Sequence, residues 1–333
     1  MLVFAAELVW AASAREEGIA AFKEGRYSVA LPKLKEAARD PQDATARVFL
    51  ALTEAATGDC KRALPELSQA PTGDATLYKL AGLAGAKCYS AAGDLAAAIS
   101  LLQKLEQRFP SDPDVLYTQA KLHMKAFNDA TFRMFQRVPS SYRVHELSAE
   151  IFEVENRYTE AAAEYRKAIE LNAKAPDLHF RLGRAILLQS HEPQALEQAR
   201  AEFQAELKLS PEDAACEFQL GQIGQVEGRT AEAKSHFERA IALSPDFAQA
   251  LIALGRIYSQ EKNYSEAISL LRRAIAAQPA NESAHYALMN AYRDSGQMDR
   301  AKSEKAVLDK LQKPPEGEFS DFLKKLGEKP PQQ

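Results

Sequence analysis

Apolar positions along most of the chain follow the spacing of amphipathic helices. Between residues 214 and 247, apolar side chains recur three and four positions apart in two stretches, which Gly228 separates. The second stretch begins near Thr230 and ends at Ser244-Pro245, because proline disfavours helix in the residue before it. The pattern therefore predicts two helices joined by a tight turn.

The same pattern returns at an interval of 34 residues. Gly221 and Ala233 are predicted to let the paired helices cross closely, with Phe237 filling the space beside them. Independent columns that share one period indicate a repeat architecture, in which each hairpin hides its apolar face against its neighbours. The aligned columns are Leu220, Leu254 and Leu288; Ala233, Ala267 and Ala301; and Pro211, Pro245 and Pro279.

These columns resemble the tetratricopeptide repeat, whose pattern is W-x2-L-G-x2-Y, then G-x-Y-x2-A, then x3-F-x2-A and a closing proline. The tryptophan and the mid-turn glycine, where Lys262 stands, are the departures in residues 248–281. The resemblance implies an all-α fold, a right-handed α-solenoid of about nine helical hairpins. The matching residues of this unit are Leu251, Leu254, Gly255, Tyr258, Tyr264, Ala267, Leu271, Ala274 and Pro279.

The repeats match the pattern less well in the first part of the chain than in the second. Residues 11–141 read as degenerate repeats and residues 142–315 as a well-formed array. Within the degenerate part, residues 113–141 are predicted to form a short hairpin, with Phe132 where alanine is expected. Four additional residues near His191 are predicted to add one helical turn to the unit over 176–213.

The two ends of the chain leave alternatives open. Residues 1–10 are apolar apart from Glu7, and they read either as the remnant of an export signal or as a helix that packs on the first repeat. The compartment is accordingly either the cytoplasm or an exported, periplasmic location. In the tail over 316–333, Phe319, Phe322, Leu323 and Leu326 have the spacing of a short amphipathic helix. This helix either caps the last repeat or binds elsewhere. No other stretch approaches the length of a membrane span.

Composition and motifs argue against an enzymatic, metal-binding or nucleic-acid-binding function. The net charge is −4 without a basic stripe, which disfavours nucleic-acid binding. Cys60, Cys88 and Cys216 lie far apart and form no CxxC pair, so all three are interpreted as small packing residues. His145, His179 and His285 occupy one repeat column and are interpreted as packing residues at repeat interfaces. No metal, phosphate-loop or nucleophile motif occurs, so the prediction is a protein without enzymatic activity, cofactor or metal.

The resemblance implies that the first helices of successive hairpins line a concave groove. This groove combines apolar or aromatic groups with arginines, which suits an extended peptide carrying acidic groups. The predicted function is a scaffold that binds a protein or peptide, and the alternative is a self-assembling structural scaffold of unknown oligomeric state. The family's lysine/asparagine clamp for a chaperone carboxylate is not reproduced. The groove candidates are Phe180, Arg184, Phe218, Gln222, Ile252, Arg256, Tyr286, Asn290 and Arg293.

Overall fold

The computed structural model describes residues 14–69 and 73–312, and every regular element in these ranges is a helix. The chain divides into two compact units, Met1–Arg137 and Val138–Gln333. The predictions for residues 1–10 and for the tail over 316–333 lie outside the described residues. None of the described helices is long and apolar enough to cross a bilayer.

The first unit consists of three helical hairpins followed by a single helix. Aspartates at the N-caps of α3 to α6 accept a hydrogen bond from the first helical turn, which satisfies donors that the helix leaves unpaired. The helices are α1 (described over 14–23), α2 (Tyr27–Ala37), α3 (Ala44–Ala56), α4 (Cys60–Leu67), α5 (Ala75–Ala91), α6 (Leu95–Arg108) and α7 (Pro113–Arg137).

Helix α7 differs from the sequence prediction. It runs unbroken for 25 residues, so the short hairpin predicted over 113–141 is wrong. No glycine or proline follows Pro113 until Pro139, and nothing in between stops the helix. The described part of the chain therefore holds eight hairpins and one single helix.

The second unit consists of five stacked hairpins. Its helices are α8 (Tyr142–Val154), α9 (Tyr158–Leu171), α10 (Leu178–Gln189), α11 (Pro193–Leu209), α12 (Ala214–Val226), α13 (Thr230–Leu243), α14 (Ala248–Gln260), α15 (Tyr264–Ala277), α16 (Glu282–Asp294) and α17 (Met298–Leu311). Helix α11 has 17 residues against 14 in α13, which confirms the additional turn near His191. Pro193 opens this helix, where its missing N–H costs little.

Small residues permit the close helix crossing within a hairpin. A Cβ atom on Gly221 would stand 2.6 Å from the Phe237 ring, and one on Gly224 would stand 3.2 Å from the backbone of Ala233. Both Phe237 and Ala233 are fully buried. The predicted steric role of Gly221 is thus confirmed. The residue that it makes room for is Phe237, whereas Ala233 packs against Gly224.

A disulfide joins two hairpins of the first unit. Cys60, the first residue of α4, is bonded to Cys88 of α5, with Cα atoms 5.2 Å apart and a sequence separation of 28. The prediction that these two cysteines are packing residues is therefore wrong, because sequence spacing does not show which helix sides meet. Cys216 is a buried free thiol, as predicted.

Candidate functional site

The nine predicted groove residues all lie on first helices of hairpins in the second unit. Equivalent positions of α10, α12, α14 and α16 carry them, and α14 packs directly against α16. Since stacked repeats repeat their orientation, these positions face the same side of the unit. That these positions form one binding surface remains a prediction.

The apolar column of this surface is less exposed than the sequence indicated. Phe180 and Phe218 are half-buried, Ile252 is buried, and Tyr286 is 53% exposed. The Phe218 ring packs 5.1 Å from the ring of Phe247, which lies in the connection to the next hairpin. The expectation that this column offers aromatic groups to a peptide is therefore corrected to one exposed ring, because Phe180 packs on Phe203 of its own hairpin and Phe218 packs on both Phe237 and Phe247.

The basic column remains accessible. Arg184, Arg256 and Arg293 are all exposed. The guanidinium of Arg184 lies 5.9 Å from the centre of the Phe180 ring, a cation–π contact. Arg293 is paired with Asp294 at 2.9 Å, whereas Arg184 and Arg256 have no carboxylate partner among the described residues. Two guanidinium groups are thus available for an anionic ligand.

Two polar atoms near this column lack hydrogen bonds. The Asn290 Oδ1 and Ser259 Oγ atoms are buried and have no partner among the described residues. Ser259 belongs to α14, three residues after Arg256, and Asn290 belongs to the neighbouring α16. A buried polar atom without a partner costs free energy, so a ligand or water that bonds to it is stabilised.

Two of the glutamates on the first helix α8 are paired with arginines within the protein. Glu146 pairs with Arg143 at 2.6 Å, and Glu150 pairs with Arg181 of α10 at 2.8 Å. The first pair lies within α8, whereas the second joins two neighbouring hairpins, and both neutralise a carboxylate. This part of the surface is therefore not a second charged site.

A set of histidine–glutamate pairs was missed by the sequence analysis. The Nδ1 atoms of His145, His179 and His285 lie 2.6–2.7 Å from carboxylates on the second helix of the same hairpin. These histidines thus join the two helices of one hairpin, a role not predicted for them. In α12–α13 the pair is reversed, with Glu217 on the first helix and His236 on the second. Spacings of 19 or 23 residues between histidine and glutamate are the signal that could have revealed the pairs.

Hydrogen bonding also changes the acidity of one glutamate in these pairs. Burial alone would raise the pKa of Glu164, but hydrogen bonds from Lys167 and His145 outweigh burial and lower it. The ionised form of Glu164 is therefore favoured in the folded protein. The pairs are structural, because each one is satisfied inside its own hairpin.

The first unit has a concave surface of its own. A cavity of about 1300 Å³ is lined by the first helices α3 and α5 and by α7. Its lining includes the apolar side chains of Leu80, Leu83 and Tyr117 and the basic side chains of Lys87 and Lys121. Among the described residues no group of three or more side chains has the arrangement of a metal site.

Comparison with known proteins identifies the repeats. Profiles described as tetratricopeptide repeat match residues 15–76, 77–112, 218–282 and 259–313, and one described as TPR repeat matches residues 154–190. Together these matches cover more than half of the chain. No curated protein sequence matches it.

Several solved structures share the helical-hairpin architecture at low sequence identity. A MamA crystal structure is 18% identical, with a TM-score of 0.45, and the match covers 53% of this chain and 93% of that one. YrrB, described as a TPR protein with an unusual peptide-binding site, is 19% identical, with a TM-score of 0.44 and coverages of 59% and 98%. Pseudomonas aeruginosa PilF is 19% identical, with a TM-score of 0.47 and coverages of 74% and 96%.

Proposed function

The chain belongs to the tetratricopeptide-repeat family, and from that premise we propose that it is a non-enzymatic scaffold that binds an extended, acidic peptide segment of a partner protein. The proposed site is the surface formed by the first helices α10, α12, α14 and α16. The proposal rests mainly on the basic column, in which Arg184 and Arg256 are exposed and have no carboxylate partner among the described residues. Arginine binds carboxylates through two parallel hydrogen bonds, which gives both affinity and orientation.

The surroundings of the arginines suit an extended main chain. The exposed ring of Tyr286 provides apolar contact area at low entropic cost. A peptide that alternates acidic and apolar side chains would satisfy these groups together.

The test uses the full chain and a library of labelled peptides that alternate acidic and apolar residues. We expect Arg184→Glu combined with Arg256→Glu to weaken peptide binding at least about tenfold, since two charge-assisted contacts become repulsive. Arg272→Glu, an exposed charge reversal on the second helix α15, is the matched control and should leave binding unchanged. Unchanged affinity in the double variant, with circular dichroism intact, would exclude this groove.

We further propose that the protein works in an oxidising, exported compartment. The disulfide between Cys60 and Cys88 supports this, because such bonds persist outside the reducing cytosol. Trapping thiols by alkylation in intact source cells, followed by mass spectrometry, tests it. Cys60 and Cys88 should resist alkylation even after denaturation, whereas Cys216 should react only after denaturation, since burial raises the pKa of its thiol.

Self-assembly is a second candidate role. Helix α7 leaves an apolar face uncovered, and this observation does not depend on the groove of the second unit.

A further inference from the structure

Three first helices of the second unit carry an exposed aliphatic side chain at their C-terminal end. Val154 of α8 is 85% exposed, Leu188 of α10 is 48% exposed and Val226 of α12 is 59% exposed. They occupy the same position of their repeats, because Val154 and Leu188 are 34 residues apart and the four additional residues near His191 separate Leu188 from Val226 by 38. These three side chains are called the aliphatic row.

The aliphatic row is not required for packing of the repeat. The corresponding residues of α14 and α16 are Gln260 and Asp294, and both are exposed. The same position therefore accepts polar side chains in two neighbouring hairpins of the same unit. A single exposed apolar residue needs no explanation, but three at one repeat position in consecutive hairpins indicate a surface for a partner.

Two arginines of the basic column have positions related to this row. Leu188 follows Arg184 by four residues in α10, and Val226 follows Gln222 by four in α12. Residues four apart lie on the same face of a helix, about 6 Å apart along its axis. Arg256 is the residue of α14 that corresponds to Arg184 and Gln222. The aliphatic row thus lies one helical turn from the positions of these arginines.

An extended peptide could contact both sets of side chains. Successive side chains of an extended chain point to opposite sides. A peptide that crosses the first helices between the two sets would direct every second side chain to the arginines and the others to the aliphatic row. Arg184 and Arg256 have no carboxylate partner within the described ranges, so acidic side chains complement the first side and apolar side chains the second.

We propose that the aliphatic row selects the ligand of this scaffold, an extended segment in which aliphatic and acidic residues alternate. The inference rests on the proposed function of the second unit, and it extends the site by one hairpin, to Val154 of α8. Asp294 would repel an acidic segment at the other end of the row. The aliphatic contacts therefore lie on α8, α10 and α12.

Fluorescence anisotropy of the full chain with two labelled peptides tests this selection. One peptide alternates aspartate and leucine, and the other has serine in place of each leucine. We expect the leucine peptide to bind at least about tenfold more tightly, because its side chains bury apolar area on the aliphatic row. Combining Val154→Gln, Leu188→Gln and Val226→Gln should remove most of this difference between the two peptides.

The matched control changes exposed leucines outside the row. Leu171 and Leu209 are exposed at the ends of the second helices α9 and α11, and replacing both with glutamine should preserve the difference between the peptides. Val154→Gln alone tests the extension to α8 and should weaken binding of the leucine peptide at least about twofold. Circular dichroism should show unchanged helicity in every variant, because all the replaced side chains are exposed.

The outcomes separate this inference from the proposed function. Equal affinities of the wild type for the two peptides would overturn the inference alone, as would a difference that persists in the triple glutamine variant. Arg184→Glu combined with Arg256→Glu should weaken binding of both peptides, whereas the glutamine changes act on the leucine peptide. If the wild type binds neither peptide, the proposed function and this inference are both wrong.

Discussion

The carboxylate of Glu206 caps the N-terminus of helix α10, whose N-cap residue Asp177 lies 29 residues earlier in the sequence. Its Oε1 atom accepts a hydrogen bond from the backbone N–H of Asp177 at 3.0 Å, and its Oε2 atom accepts one from Phe180 N–H at 3.4 Å. Asp177 itself has a left-handed backbone conformation, with a φ of 67°, and its side chain makes no capping bond. A fully buried glutamate on α11 thus replaces the local cap of α10.

Glu206→Ala is expected to destabilise the second unit by about 1–3 kcal/mol, because two N–H groups at the start of α10 lose their charged acceptor. Urea denaturation followed by circular dichroism measures the loss. Asp177→Gly is the control and should not destabilise the unit, since glycine adopts positive φ without strain. Equal stability of Glu206→Ala and the wild type would show that water replaces the carboxylate.

Gly221→Ala should destabilise the hairpin α12–α13 by about 1–3 kcal/mol through overpacking, because the new methyl group would meet the Phe237 ring. Phe237→Ala opens a cavity and is destabilising by itself. In the double variant the cavity leaves room for the new methyl group. The loss of stability should therefore be smaller than the sum of the losses in the two single variants. Thermal denaturation of the four proteins measures this coupling, and strict additivity would contradict the contact.

Lys262→Gly should stabilise the hairpin α14–α15 by about 1 kcal/mol. Lys262 adopts a φ of 62° at the turn where the neighbouring hairpin has Gly228 at 73°, and side chains disfavour this conformation. Gly228→Lys is the reciprocal control and should destabilise its hairpin by a similar amount. Urea midpoints that shift in the same direction for both variants would exclude this explanation.

Reduction of the disulfide should lower the stability of the first unit by about 3 kcal/mol, as expected for closing a loop of this length. The second unit contains neither Cys60 nor Cys88, so its unfolding should not respond to the reductant. Hydrogen exchange with and without reductant distinguishes the two units. A Cys60→Ser, Cys88→Ser variant should reproduce the reduced protein.

Low pH should weaken the ion pair that attaches the start of α7 to α5. Asp112 accepts hydrogen bonds from Lys79 Nζ at 2.6 Å and from Val115 N–H at 3.2 Å, and the bond from Lys79, opposed by desolvation, holds its pKa below the ordinary value. A carboxyl group whose pKa is lower in the folded state than in the unfolded state stabilises the fold above its unfolded-state pKa. This stabilisation is lost as the pH falls through the folded-state pKa.

The difference in thermal midpoint between the wild type and Asp112→Asn should therefore shrink as pH falls from about 5 to about 3, around the ordinary aspartate pKa. Asparagine keeps the cap but not the ion pair, so the comparison isolates the charge. A difference that stays constant over this range would show that Lys79 contributes nothing to the attachment of α7.

The sequence by itself determined the helices and the turns of the second unit. Helix and turn formation is local, since apolar spacing, prolines and capping residues act within a few positions, and the boundaries of α12 and α13 follow from them. The sequence also places Arg184 and Arg256 at equivalent positions of their repeats, whereas the use of this column as a binding site remains a prediction.

Tertiary structure decided what depends on neighbours distant in sequence. The pairing of Cys60 with Cys88, the cap that Glu206 provides and the covering of Phe218 by Phe247 each require two helix sides to meet. No local preference encodes such a meeting, because it follows from how the hairpins rotate and stack. For the same reason only the folded unit shows that an apolar face of α7 is left uncovered.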